Sequence, residues 1–168
     1  MISIRAATPA DAEAIARVHI ASWRSTYKGL VPSEFLAALS YERRTEQWGS
    51  ALENPDRNYI FVAEHKEIGI VGFVDCGPER EGRREYPGEI YAIYLYEQYQ
   101  GRGIGKQLFD KAVDELKQRG HHSILLWVLI DNPSRGFYVR MGGEEISQKE
   151  IEIGGVNLVE VAYGWKQL

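Results

Sequence analysis

The run Gln100-Gly101-Arg102-Gly103-Ile104-Gly105-Lys106 gathers three glycines and two cations where an apolar strand, Glu89 to Tyr96, hands over to an amphipathic helix. Such a turn can hold an anion. Glycines let the backbone approach a ligand and take positive φ, and the first amides of a helix have no partner inside it. The positive end of the helix dipole adds to the attraction. Phosphate is therefore the ligand chemistry to consider. A Walker loop requires Gly, four residues, then Gly-Lys-Ser/Thr, but the fifth position before Gly105 is Gln100, and Lys106 is followed by Gln107, which has no hydroxyl for magnesium. A dinucleotide fingerprint requires a further glycine three positions after the second, where this chain has Lys106 or Leu108. What remains is Gln-x-x-Gly-x-Gly, or a plain glycine turn.

The elements around this turn favour the anion site. Ile104, Leu108, Ala112, Val113 and Leu116 recur at helical spacing with charged residues opposite, and Gly120 supplies a stop. Ser123 to Ile130 then reads as a strand buried on both faces, and Asp131-Asn132-Pro133 opens a short helix. Strand, glycine turn, helix and strand make a parallel βαβ unit. Upstream, Ile2 to Arg5 is a short strand, and Thr8-Pro9-Ala10-Asp11 starts a helix running towards Tyr27. Pro32 to Leu39 and Glu42 to Leu52 read as helices, and Tyr59 to Glu64 with Ile68 to Asp75 as an antiparallel hairpin. Gly77 to Gly88 is charged and rich in Gly and Pro, and reads as a mobile loop too polar to pack. A terminal hairpin turns at Gly154-Gly155.

Composition bounds the rest. A chain of 168 residues with 44% apolar content suits a single domain, residues 1–168. Net charge of −4 and no basic stripe argue against nucleic acid. Cys76 is the sole cysteine, so no internal disulfide forms; there is no signal peptide and no membrane-spanning run, and a cytoplasmic location is expected. His19, His65, His121 and His122 show no ligand spacing, and no metal is expected.

The order of elements, with Gln100 to Gly105 and the later Asn132-Pro133, Phe137-Tyr138 and Gly142, resembles the GNAT superfamily of acetyl-CoA-dependent N-acetyltransferases over nearly the whole chain. The resemblance implies an α/β (α+β) GNAT fold, a mixed central sheet whose parallel strands splay apart, flanked by helices. It implies acetyl-CoA as co-substrate. The pantetheine arm would pair with Ile93, Tyr94 and Leu95, and the pyrophosphate would rest on Gly101, Arg102, Gly103, Ile104, Gly105 and Lys106, with Gln100, Asn132, Ser134 and Phe137 as further contacts. Tyr138 would be the acid beside the departing sulfur, although the Asn132 to Tyr138 interval is one residue shorter than in many members. Some members carry a catalytic glutamate on the strand before that asparagine, where this chain has Trp127.

The chemistry names further candidates. A primary amine with a pKa of about 10.4 must lose a proton before it attacks, and Glu89, at the mouth of the central strand, is the candidate to take it directly or through water. Trp23 and Tyr27 share a helix face and are the candidate walls of the acceptor pocket. Arg80, Arg83 and Arg84 read chiefly as solvated, with the adenosine 3′-phosphate as the alternative. Cys76 has no histidine partner in the pattern, which favours direct attack in a ternary complex. The alternatives are a non-catalytic acyl-CoA-binding regulatory module and a nucleotide-binding protein. The acceptor is an unspecified primary amine, and the exposed terminal strand offers an edge for a homodimer.

Overall fold

A computed structural model describes the whole chain, Met1–Leu168. Seven strands form one sheet in the order β1 (Ile2–Ala6), β2 (Tyr59–His65), β3 (Gly69–Pro78), β4 (Gly88–Leu95), β5 (Ile124–Leu129), β7 (Val156–Trp165) and β6 (Glu144–Ile153). Only β4 and β5 run parallel. The crossover between them is α4 (Ile104–Gln118), on the opposite side of the sheet from α1 (Ala12–Thr26) and α3 (Tyr41–Leu52); α2 (Ser33–Ala37) follows α1, and α5 (Arg135–Arg140) follows β5.

Strand alternation divides the core. Ile60, Val62 and Phe73 pack with Ile15, Val18 and Trp48 on the α1 side, whereas Phe61, Ala63 and Val74 pack with Leu108, Ala112 and Leu116 on the α4 side. The helical periodicity read around Leu108 therefore corresponds to a buried stripe. The start of the first helix differs slightly from a continuous one. Pro9–Asp11 forms a single 3₁₀ turn, because the Asp11 carboxylate both accepts from the Thr8 amide at 2.8 Å and pairs with Arg5 at 2.8 Å, holding the entry tight.

The segment after β3 departs from the mobile loop expected. Its charges are used internally: the Glu79 carboxylate accepts from the amides of Glu81 (2.8 Å) and Arg83 (2.7 Å), Lys149 pairs with Glu81, and Tyr86 is buried. Polarity in sequence does not mean looseness where carboxylates satisfy the backbone.

One irregularity shapes the centre of the sheet. Asp75 faces Ala92 and Cys76 faces Ile90, so Tyr91 is an extra residue in β4. Its hydroxyl donates to the Pro78 carbonyl, and Gly77 makes the room, since a Cβ there would stand 2.6 Å from that hydroxyl. A bulge bends its strand and increases local twist. Beside it, Asp75 is buried in an otherwise apolar strand, both carboxylate oxygens accepting from Asn58 Nδ2 at 3.1 and 2.8 Å.

Burial pushes the Asp75 carboxyl up from 3.8 to about 7, only partly countered by Asn58 and Arg80. The folded chain thus keeps this proton longer than the unfolded one. Its contribution to stability is full below the ordinary carboxylate range and is lost as pH climbs through about 7. Asp75→Asn should remove that loss, so its stability relative to the unaltered protein should improve by about 2 kcal/mol between pH 5 and pH 8. Urea unfolding at the two pH values measures this, and a pH-independent difference would mean that the carboxyl titrates normally.

Candidate active site

β4 and β5 pair over three positions only, Gly88 with Ile124 to Ile90 with Leu126. Beyond the bulge they part. β4 continues to Leu95 with a strand partner on its β3 side alone, and β5 continues along β7. Between them opens a crevice of about 460 Å³, within the usual range for a small-molecule site. Main-chain groups of Tyr91 to Leu95 line one wall and Leu126 to Val128 the other. Such groups require partners when buried, and a ligand with amides can supply them.

The glycine run closes one end. Gly101 and Gly103 have φ of 74° and 81°, and α4 starts with no side-chain cap and no acidic residue in its first turn. The first amides of a 15-residue helix are thus left for an anion. The neighbouring cations are otherwise engaged. Lys106 pairs with Asp110 at 2.5 Å, and the Arg102 guanidinium lies 5.2 Å over the Tyr99 ring. Ile104 packs its side chain into the core and offers only its backbone.

Most residues singled out in the sequence meet here. Ile93, Tyr94, Leu95, Gln100, Gly101, Gly103, Gly105, Lys106, Asn132, Ser134 and Phe137 line the crevice, together with Tyr27 and Tyr138. The shorter Asn132 to Tyr138 interval does not turn the phenol away; Tyr138 is buried against the crevice. Gln100 braces the wall by donating to the Leu95 carbonyl at 3.3 Å. Trp23 stands behind the lining and donates to the Tyr94 hydroxyl at 3.0 Å.

Glu89 lies outside the lining. It is not a solvated strand-start residue: it is 1% exposed and held by Arg80, whose Nη2 lies 2.7 Å from Oε2 and whose amide donates to Oε1 at 3.2 Å. Arg80 is thereby withdrawn from any adenosine phosphate, and Arg83 likewise turns to Ser147 Oγ at 3.2 Å. Cys76 is fully buried, its thiol pushed up by burial and donating to the Tyr59 carbonyl. His19 is structural. Burial drives it down to about 3, and its neutral Nδ1 accepts from Trp48 Nε1 at 3.1 Å.

A polar chain joins α1, β4 and the β5–α5 turn. Asn132 donates to the Tyr27 hydroxyl at 3.0 Å while its Oδ1 accepts from the Ser134 amide at 2.8 Å, so its side chain positions Tyr27 rather than reaching for a ligand. The Tyr27 hydroxyl accepts from Asn132 and the Tyr94 hydroxyl from Trp23, donors that cannot accept in return. Both rings line the crevice. Burial raises the pKa of Tyr27, Tyr94 and Tyr138 alike, keeping all three protonated.

Sequence reasoning passed over several groups. Ser22 and Thr26 reach the lining from α1. Asp75 left a signal, a lone carboxylate inside Val71 to Cys76. Trp127 was noted only as standing where some members carry a glutamate; its Nε1 is buried without a partner, the ring lying under cations from distant segments. An orphan donor of this kind costs about 1–3 kcal/mol.

Splayed parallel strands with an uncapped glycine turn at their carboxyl ends can be compared with known proteins. The family profile described as Acetyltransferase (GNAT) family matches residues 19–143. The chain belongs to this family. This GNAT protein is accordingly an acyltransferase of the N-acetyl-transferring type. It is 38% identical over 168 residues, all of this chain and 95% of the relative, to an uncharacterized N-acetyltransferase, YuaI, of Bacillus subtilis. Its fold is similar to that of a ribosomal-protein-alanine N-acetyltransferase from Brucella melitensis, with a TM-score of 0.76 and 28% identity over 99% of each chain. A PaiA N-acetyltransferase from Thermoplasma acidophilum, solved with coenzyme A, gives a TM-score of 0.73 at 21% identity over 96% of this chain and 98% of its own. No helix of this GNAT protein is long and apolar enough to cross a membrane.

The glycine turn makes a separable prediction. A Cβ on Gly105 meets only Phe137, at 3.9 Å, so the apoprotein has room for one, whereas a branched side chain there fills the space in front of the helix amides. Gly105→Val should weaken acetyl-CoA binding by at least about tenfold, the scale of one lost hydrogen bond to a charged group, and shift Tm little. Titration calorimetry beside a melting curve checks it; undiminished affinity in a folded variant would remove the pyrophosphate from this turn.

Proposed function

We propose that this protein transfers the acetyl group of acetyl-CoA to a primary amine by direct attack in a ternary complex. The observation that carries the reading is one continuous path: uncapped amides at the start of α4, unpaired main-chain groups along β4, then three protonated phenols. Gly101 to Lys106 would hold the pyrophosphate and Ile93 to Leu95 the pantetheine amides, a fit supported by the open space at Gly101 and Gly103. Acetyl-CoA, when bound, supplies a thioester. Once its ammonium proton has gone, the amine nitrogen bonds to the acetyl carbon as the carbon–sulfur bond breaks; the nitrogen then loses a second proton and the sulfur gains one, so one proton is released to solvent overall.

The protein's task is to move these protons. Freeing the lone pair of an ammonium with a pKa of about 10.4 costs about 4–5 kcal/mol at neutral pH. Glu89 takes that proton in this reading, through water, since its side chain is buried behind the wall and Arg80 fixes its carboxylate. Tyr138 delivers a proton to the departing sulfur. An acyl-cysteine route is disfavoured by the burial and raised pKa of Cys76. A cytoplasmic setting belongs to the same reading, and β6, the C-terminal of the sheet's two edge strands, is the surface for a homodimer.

Thiol release from acetyl-CoA with a panel of amines tests the activity; tight binding with no turnover of any amine would convert the reading to a non-catalytic acyl-CoA-binding module. Tyr138→Phe keeps the ring and should lower kcat by about one to three orders of magnitude with acetyl-CoA affinity nearly unchanged. If affinity falls and kcat does not, Tyr138 only packs the cofactor.

Glu89→Gln should reduce kcat/KM and flatten its acidic limb. Tm must be followed in parallel, because the change also dissolves a buried ion pair. An unaltered pH profile in a folded variant would leave Glu89 as an anchor for Arg80 alone.

A further inference from the structure

The last residue of β4 offers the crevice a main-chain donor without an acceptor. In an antiparallel pair, main-chain groups point alternately towards the partner strand and away from it. The Tyr96 amide donates to the Val71 carbonyl at 2.9 Å and Tyr94 faces Phe73, so Tyr94 and Tyr96 turn their main chain to β3. Ile93 and Leu95 therefore turn theirs the other way, into the gap that opens where pairing with β5 stops at Ile90. A residue so placed presents both an N–H and a C=O to a ligand.

Leu95 presents only one of them. Its carbonyl accepts from Gln100 Nε2 at 3.3 Å, out of the glycine turn, and from Ser22 Oγ at 3.4 Å, out of α1 and 73 residues away in sequence. A carbonyl has two lone pairs, and both are thus engaged. Ser22 is 2% exposed, reaches the crevice lining, and spends its hydroxyl proton on this carbonyl. What remains of Leu95 on the crevice side is its amide.

The pairing has an electrostatic consequence. The N–H and C=O of one extended residue lie side by side, so a bare carbonyl would repel an oxygen bound at the neighbouring amide, the more so as that oxygen gains negative charge. Two donors on the carbonyl offset that repulsion. They also fix the Leu95 peptide before a ligand arrives, and a donor fixed in advance is most effective where charge develops during reaction.

Resting on the transferase reading above, we propose that Ser22, together with Gln100, positions the Leu95 amide as the donor to the acetyl oxygen of acetyl-CoA. That oxygen becomes anionic when the amine nitrogen bonds to the acetyl carbon. Ser22 acts through the Leu95 peptide and is a positioning residue.

Acetyl-CoA isotopically labelled at its acetyl carbonyl reports on this donor directly, because a stronger hydrogen bond to the oxygen lowers the C=O stretching frequency. Infrared difference spectra of the binary complex should place the stretch lower on the unaltered protein than on Ser22→Ala, with Gln100→Leu displaced in the same direction. With an accepted amine, Ser22→Ala should lower kcat by about three- to tenfold, the scale of one hydrogen bond, and change the KM for acetyl-CoA little. Ser22→Thr keeps the hydroxyl and should keep both the frequency and most of the rate. Melting curves accompany each variant, and Gln100→Leu carries the measurement if Ser22→Ala does not fold. A merely structural serine would lower Tm and leave the thioester carbonyl alone, so an unmoved stretch in a folded variant that binds acetyl-CoA overturns the proposal whatever happens to the rate. Failure of the unaltered protein to bind acetyl-CoA, or to turn over any amine, overturns the transferase reading instead.

Discussion

The brief pairing of β4 with β5 is the constraint on which the site depends. A parallel ladder broken after three positions leaves backbone donors and acceptors facing a gap, an arrangement that would be costly in a dry interior. Here the strands are kept apart by their other neighbours. β3 and β7 each hold an outer edge along its length, and the Tyr91 bulge, anchored to Pro78 and given room by Gly77, bends β4 away. Opening is thus a property of the whole sheet, so no single loop has to sustain it. The same divergence aims the carboxyl end of β4 at the glycine turn, bringing the unpaired edge and the helix amides into line.

The gap is stiffened by a second device. Asn132, Tyr27, Tyr94 and Trp23 come from three places in the chain, yet their hydrogen bonds are of one kind, from donors that cannot accept towards phenols that can. Asn132 fixes the turn into α5, which carries Tyr138, and Trp23 fixes the far side through α1. Directional chains of this kind position a proton more firmly than an isolated hydroxyl, whose rotor is free. The aromatic rings also exclude water, which raises the free energy of any ionised phenol and keeps the donors loaded.

Sequence alone carried the fold well where periodicity and glycine chemistry were local. The βαβ unit, the amphipathic stripe of α4 and the Gly154-Gly155 turn all follow from patterns within a few residues. The glycine turn was equally legible as the start of α4, and its spacing excluded two other designs. What escaped depends on long-range registration. Glu89 reads as a strand-start residue until Arg80 folds back across it, and the loop carrying Arg80 reads as mobile until Glu79 is seen to satisfy its amides. Tyr91 looks like any strand tyrosine; only the register against β3 reveals the extra residue.

Trp127 shows most clearly why such groups hide. In sequence it is one apolar position in a strand read as doubly buried, and nothing within several residues distinguishes it from Leu125 or Leu129. Its chemistry arises when β6 lays Lys149 over the ring and the β3–β4 loop brings Arg83 to it, segments more than 20 residues away on either side. Two cations over an indole polarise its N–H and make it a stronger donor, so the absence of a protein acceptor becomes more costly, not less. A fold gains nothing from a donor strengthened and left unpaired.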